Sequence, residues 1–378
     1  VSFGGGTIGV RVGGSGWTTA QVDTLLTNAT KTSGALGIDT TNGNLTQWAA
    51  FNTTNLGANL GLTKLAANTL TLDQANNYTG ATTVSAGTLQ IGNAGTTGAL
   101  TGTSSVTVSS GANITINRSN GFSQASDLNN RAISGGGSFT QAGSGTTTLS
   151  LVNTYTGATS VSQGTLEIAS GGSTHASSAV SVTGTSSLIV NGIIHGSVTT
   201  ATGTTLSGSG VIKGTTTISG FHNPGNSPGT QTFESGLSYT ATSVLNWELI
   251  DNTVAGRGSN YDAVNVIGGV LSINSSASIS LAFSGAVSFA NAFWSSNQSW
   301  LVVDLSGSAT ASDSNLFTIG SITGGGYNPA LGTFGITRAT GSNSANSVYL
   351  TWTAIPETSS SLLGALGALV LLRRRRSA

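Results

Sequence analysis

Cysteine and methionine are both missing from this 378-residue chain. Charge is scarce as well: Lys, Arg, Asp and Glu make up 6% of it, where a globular domain carries about a quarter. Without cysteine there is no disulfide framework and no thiol to oxidise or cross-link outside the cell. That suits an exported protein, although a composition dominated by glycine, serine and threonine would crowd out both residues in any compartment. Long apolar runs are confined to one place near the end. Elsewhere Leu, Val and Ile stand singly among Thr, Ser and Gly, which argues against a polytopic membrane protein. A basic surface is also lacking. Upstream of Pro356, eight basic residues (Arg11, Lys31, Lys64, Arg118, Arg131, Lys213, Arg257, Arg338) face eleven acidic ones, so nucleic acid is not an expected partner. No charged, apolar, small-residue leader precedes the polar body, and a signal peptide is expected upstream of Val1.

Glycine is abundant, at 55 positions, and the chain repeats itself. Disorder fits poorly, because branched apolar residues recur at regular spacing and the net charge is near zero. Placing residues 72–91 over 149–168, 77 positions on, gives thirteen identities in twenty. Asn76 meets Asn153, Tyr78-Thr79-Gly80-Ala81-Thr82 meets Tyr155-Thr156-Gly157-Ala158-Thr159, and Gly87-Thr88-Leu89 meets Gly164-Thr165-Leu166. Leu70 and Leu72, Leu89 and Ile91, Val106 and Val108, and Ile114 and Ile116 are apolar pairs two residues apart, each marking a short strand with one buried side. Gly80, Gly87, Gly92 and Gly95 sit between the pairs, where tight corners favour glycine. Short strands, small corners and a repeat predict an all-β fold, a parallel β-solenoid whose coils stack and pair through the backbone. A hairpin-built β-sandwich is the alternative, and the scarcity of its favoured Asn-Gly turn, seen at Asn42-Gly43 and Asn191-Gly192, counts mildly against it.

These residues carry a resemblance. The stretches 62–92 and 139–169, with Tyr78, Gly80, Gly87, Leu89, Tyr155, Gly157, Gly164 and Leu166 as their shared signature, resemble the autotransporter-associated β-strand repeat, also called the passenger-associated transport repeat. The lead-in of the second copy, Phe139-Thr140-Gln141, departs from the pattern. The resemblance implies an exported surface domain on a β-helix and no catalytic residues. Leu206-Ser207-Gly208-Ser209-Gly210 and Pro224-Gly225-Asn226-Ser227-Pro228-Gly229-Thr230 resemble the segment that often follows such repeats. Two Pro-Gly steps force turns, which places a coil boundary or domain junction near 220–230. From 231 to 353 the apolar residues grow larger (Trp247, Phe283, Phe289, Phe293, Trp294, Trp300, Trp352), which predicts a bulkier-cored capping region. The expected organisation is therefore an N-terminal region at 1–60, a solenoid at 61–220, a β-rich cap at 221–353 and a tail at 354–378. In the first sixty residues, Val22-Asp23-Thr24-Leu25-Leu26 reads equally as helix or strand.

The tail has three parts. Ile355-Pro356-Glu357 leads to an uncharged run of eleven residues at 362–372 (Leu362, Leu363, Leu366, Leu369, Val370, Leu371 and Leu372 among them) and then to Arg373, Arg374, Arg375 and Arg376. A bilayer span needs about twenty apolar residues, so this short C-terminal hydrophobic helix is brief for a lasting anchor. The arginines favour the cytoplasmic side, placing the body across the membrane from them. The arrangement resembles the PEP-CTERM sorting signal, with Thr358 where a second proline is usual. The resemblance implies a transient inner-membrane anchor, export machinery and an exosortase-like processing enzyme as partners, and final residence at the cell surface or outside.

No catalytic set stands out. His175, His195 and His222 stand alone, without metal spacing, so neither metal nor cofactor is expected. Gly135-Gly136-Gly137 and Gly324-Gly325-Gly326 read as turns, with no lysine and helix following. Glu234, Glu248, Asp251 and Asp262 are the carboxylates that a polysaccharide-acting enzyme would have to bring together. The expected function is a non-enzymatic exported structural or adhesive solenoid, with surface polysaccharide as a candidate ligand. The alternatives are that enzyme and a self-transporting passenger, the latter requiring a C-terminal membrane barrel rather than Arg376-Ser377-Ala378.

Overall fold

A computed structural model describes residues 1–57, 59–339 and 346–356. The chain folds as the parallel β-solenoid that its repeats predict. Before Phe122 one side carries the two-stranded sheet of Ala75–Asn76 and Ala99–Leu100, and from Phe122 on a coil crosses three sheets. The longest runs through twelve strands, from Leu45–Thr46 to Thr310–Ala311, and a nine-stranded sheet runs from Phe122–Ser123 to Thr318–Gly324. The third side begins as a six-stranded sheet, Ser2–Arg11 to Ile133–Ser134, and resumes as a seven-stranded one from Ile193–Ile194. The two are continuous. Thr154 N–H donates to Ile133 O at 2.9 Å, and Val152, Ser173 and Ile193 bridge one another in turn.

Alternation within each strand sends one residue inward and the next outward. Thus Leu89 and Ile91, Ile114 and Ile116, and Leu166 and Ile168 are all buried in one core, while Gln90 and Glu167 lie between them on the outside. In-register pairing keeps like over like: Leu70, Leu89 and Ile114 stack in one column.

The solenoid extends beyond 61–220 in both directions. Thr205–Gly208 pairs with Phe221–Pro224, which pairs with Val244–Leu249, so the Pro-Gly steps form a corner inside a coil. Parallel pairing ends only at Thr318–Gly324. The antiparallel strands Gly332–Arg338 and Val348–Ala354 then cover the last coil together with Gln298–Leu305. At the other end, residues 22–26 are helical, within Thr19–Asn28. Thr18 caps the helix reciprocally with Gln21, and Val22, Leu25 and Leu26 turn inward. Among the described residues no helix is long and apolar enough to cross a membrane. The hydrophobic helix expected at 362–372 lies outside them.

Candidate functional site

The repeat signature faces the core. Tyr78 and Tyr155 are buried. Each phenol meets the hydroxyl four residues on (Thr82, Thr159) at 2.6 Å, and that hydroxyl meets Thr103 or Ser178 of the next coil at 2.8 and 2.9 Å. Burial raises both phenols, Tyr155 to about 12, so each stays a neutral link in a hydroxyl chain tying two coils. Leu89 and Leu166 fill the core. Gly80 and Gly157 lie against the backbone of the preceding coil, where a Cβ would come 2.3 Å from Gly61 N and Gly137 O. These positions serve stacking, and none of them offers a surface group.

Of the four candidate carboxylates, the fold brings two together. Glu248 and Asp262 line a cavity of about 280 Å³ with Asn223, Asn226, Ser227 and Asn246. The corner 224–229 rises beside the nine-stranded sheet and forms the wall, while Asn246 and Glu248 project outward from Val244–Leu249. Glu248 accepts hydrogen bonds from the Ser227 and Ser284 hydroxyls. Asp262 is buried. It accepts from Gly229 N–H at 2.9 Å and Glu248 N–H at 3.0 Å, stapling the corner to the sheet. Burial, outweighing those two donors, pushes its carboxyl up to about 7. Glu234 instead faces Lys213 at 3.6 Å, and Asp251 accepts from Asn252 N–H in a turn.

The histidines stay apart. His195 Nδ1 lies 2.8 Å from Thr174 O, and His175 Nδ1 accepts from Ser177 N–H. His222 is buried between Tyr239 Oη at 2.6 Å and Gln231 Oε1 at 2.8 Å. Because Gln231 Nε2 donates to Ser207 O, its oxygen must accept, so His222 carries its proton on Nε2 and accepts from Tyr239 through Nδ1. Burial lowers its pKa to about 4. Among the described residues no three His, Asp or Glu side chains gather as a metal site.

Residues 62–91 and 139–168 each match the passenger-associated-transport-repeat family. The two stretches cover about a sixth of the chain and make it similar there to passenger-type, surface-associated β-rich proteins. No curated protein matches the chain.

Each passenger-associated transport repeat is one coil-to-coil junction. Leu62 pairs with Thr82 and Thr69 with Thr88; 77 residues on, Phe139 pairs with Thr159 and Thr146 with Thr165. Yet the copies lie on different sides. The first uses the six- and twelve-stranded sheets, the second the twelve- and nine-stranded ones. The repeat therefore encodes a local junction that fits two different corners of the coil. The divergent lead-in keeps its role too. Lys64 is buried, with Nζ donating to Leu65 O, Ala66 O and Ala86 O, and burial lowers its pKa to about 8. At the equivalent place, buried Gln141 donates through Nε2 to Gly143 O and Gly145 O. The junction also reaches upstream of the matched residues. Gln47 bonds Asn76, and Gln124 bonds Asn153 at 2.7 Å, each 29 residues apart. That pair was visible in the sequence as one more identity at the 77-residue offset, isolated among unlike neighbours.

The tail begins where the cap ends. Ile355 N–H donates to Leu331 O at 2.8 Å and Ala354 N–H to Asn297 Oδ1 at 3.0 Å. Glu357, the apolar run and Arg373–376 lie outside the described residues.

Proposed function

We propose that this chain is an exported, non-enzymatic surface protein whose solenoid is a structural scaffold and whose outer faces adhere to polysaccharide. The observation that carries this reading is the use of the repeat residues. Both copies spend their shared side chains on holding coils together, leaving long, regular outer faces of low charge. The tail supports sorting through the inner membrane by an exosortase-like enzyme, since a Pro-Glu step, a short apolar run and four arginines stand in that order. Deleting residues 355–378 and fractionating cells tests it: the truncated chain should fail to reach the surface, and unchanged display would sink the sorting role.

A second reading, a polysaccharide-acting enzyme, is favoured by the meeting of Glu248 and Asp262 at one cavity. Against it, every oxygen of both carboxylates already accepts a hydrogen bond from the protein. Incubation with polysaccharides should release no reducing ends. Release abolished by Glu248→Gln would establish the enzyme instead.

A further inference from the structure

On the nine-stranded sheet the outward positions are mostly small and polar: Thr205 and Ser207 on one coil, Ser278 and Ser280 on another. Between them stands Phe221, an aromatic ring 42% exposed that contributes nothing to the core. Two residues on, on the same outward side, is Asn223, so the ring stands roughly 7 Å along the strand from the cavity of about 280 Å³.

The polar groups of that cavity are held in place and left open. Asn223 Oδ1 accepts from Asn246 Nδ2 at 2.8 Å, and Asn226 Nδ2 donates to Asn191 Oδ1 and Ser209 Oγ, both at 3.1 Å. Among the described residues, Asn223 Nδ2, Asn226 Oδ1 and Asn246 Oδ1 then make no hydrogen bond, which leaves one donor group and two acceptors fixed around the opening. Such mixed donor–acceptor sets suit hydroxyl groups, which are both at once. An exposed ring beside them suits the apolar C–H face of a pyranose. Among the described residues no lysine or arginine lines the cavity and Glu248 does, which disfavours an anionic ligand. The volume lies just under the roughly 300–1,000 Å³ that encloses a drug-sized molecule, the scale of a short stretch of a chain.

We propose that the cleft lined by Asn223, Asn226 and Asn246, with the Phe221 ring beside it, binds a neutral oligosaccharide, with a sugar face on the Phe221 ring and its hydroxyls on the three asparagines. This rests on the adhesive reading above and names its ligand class. Isothermal titration of the full chain with cellohexaose, xylohexaose, mannohexaose and an acidic oligogalacturonate tests it. At least one neutral hexamer should bind and the acidic one should not. Phe221→Ala and the Asn223→Ala/Asn246→Ala pair should each weaken binding at least tenfold with the melting temperature unchanged, Phe221→Tyr should retain it, and Ser181→Ala on the twelve-stranded sheet should leave it alone. No binding by any neutral hexamer, binding that survives both cleft variants, or equal binding of the acidic oligomer would overturn the proposal. Surface display of the natural chain separates the two claims: a displayed natural chain that binds no glycan removes the cleft and leaves the surface role standing, whereas a binding-competent chain that never reaches the surface removes the role alone.

Discussion

The coils around the repeats and the coils at the C-terminal end share one backbone plan and fill it differently. Between Thr82–Val84 and Val180–Val182 the interior is mostly aliphatic, with few rings, and threaded by hydroxyls and amides: Tyr78 to Thr82 to Thr103, Tyr155 to Thr159 to Ser178, Gln124 to Asn153. At the far end the interior is a packed set of rings. Phe283, Phe289, Trp294, Phe334 and Trp352 lie with centroids 4.1–6.1 Å apart. Each buried indole there has an acceptor: Trp294 donates to Asn252 Oδ1, Trp300 to Thr253 O and Trp352 to Trp294 O. An inner coil is sealed above and below by its neighbours, so small side chains in register suffice. A last coil has a neighbour on one side only, and large rings with folded-over antiparallel strands replace the missing one.

If that contrast holds, the most costly single change lies in the terminal cluster. Trp294→Ala should lower stability by about 3–5 kcal/mol in urea titrations, as large-to-small changes at fully buried rings do. A loss below about 1 kcal/mol would mean that the rings do not hold the end closed.

Between the two regions lie two opposing titrations. His222 is held down to about 4 from its usual 6.5, so as pH falls from 6.5 to 4 the unfolded chain takes up a proton that the native state refuses, and stability drops. Asp262 is pushed up from 3.8 to about 7, so as pH rises from 4 to 7 the native state keeps a proton that the unfolded chain has released, and stability drops in that direction. Each effect is on the order of 3–4 kcal/mol and they largely cancel. Urea midpoints of the natural chain should therefore change little between pH 4.5 and 6.5. Asp262→Asn should become acid-sensitive across that interval and His222→Gln should show the reverse trend. Equal slopes in both variants would refute this assignment.

The smallest effect sharpens the view that Lys64 and Gln141 are equivalents. Lys64→Gln should cost under about 1 kcal/mol, while Lys64→Met, which leaves turn carbonyls without a donor, should cost about 1–3 kcal/mol. Thermal melts of both variants decide it.

Much of the fold was legible because stacking in register repeats a simple rule. Apolar pairs such as Leu89 and Ile91 marked the strands, and the 77-residue offset marked the junctions. The continuation past 220–230 was not legible, because the register step changes from 18 residues (Val180 to Val198) to 34 (Leu237 to Leu271) as loops enlarge one corner, and periodicity is lost. The helix Thr19–Asn28 was ambiguous, since its buried face holds only Val22, Leu25 and Leu26. The cleft was invisible for the same reason as the late coils. Asn191, Asn223 and Asn246 come from different coils of unequal length, and Asp262 follows Asn246 only after a loop within the same coil, so no fixed spacing announces them.

The strand Val348–Ala354 is bonded on both sides, antiparallel to Gln298–Leu305 and to Gly332–Arg338, and the hydrogen bond of Ile355 to Leu331 follows without slack. A tether attached beyond Pro356 would pull along that strand, perpendicular to the hydrogen bonds of both ladders. Its bonds would then be loaded together in shear instead of peeling one at a time. Under such a pull the cap that seals the solenoid would also act as a mechanical clamp, and the time the body withstood it would follow the rate at which this one strand slides free.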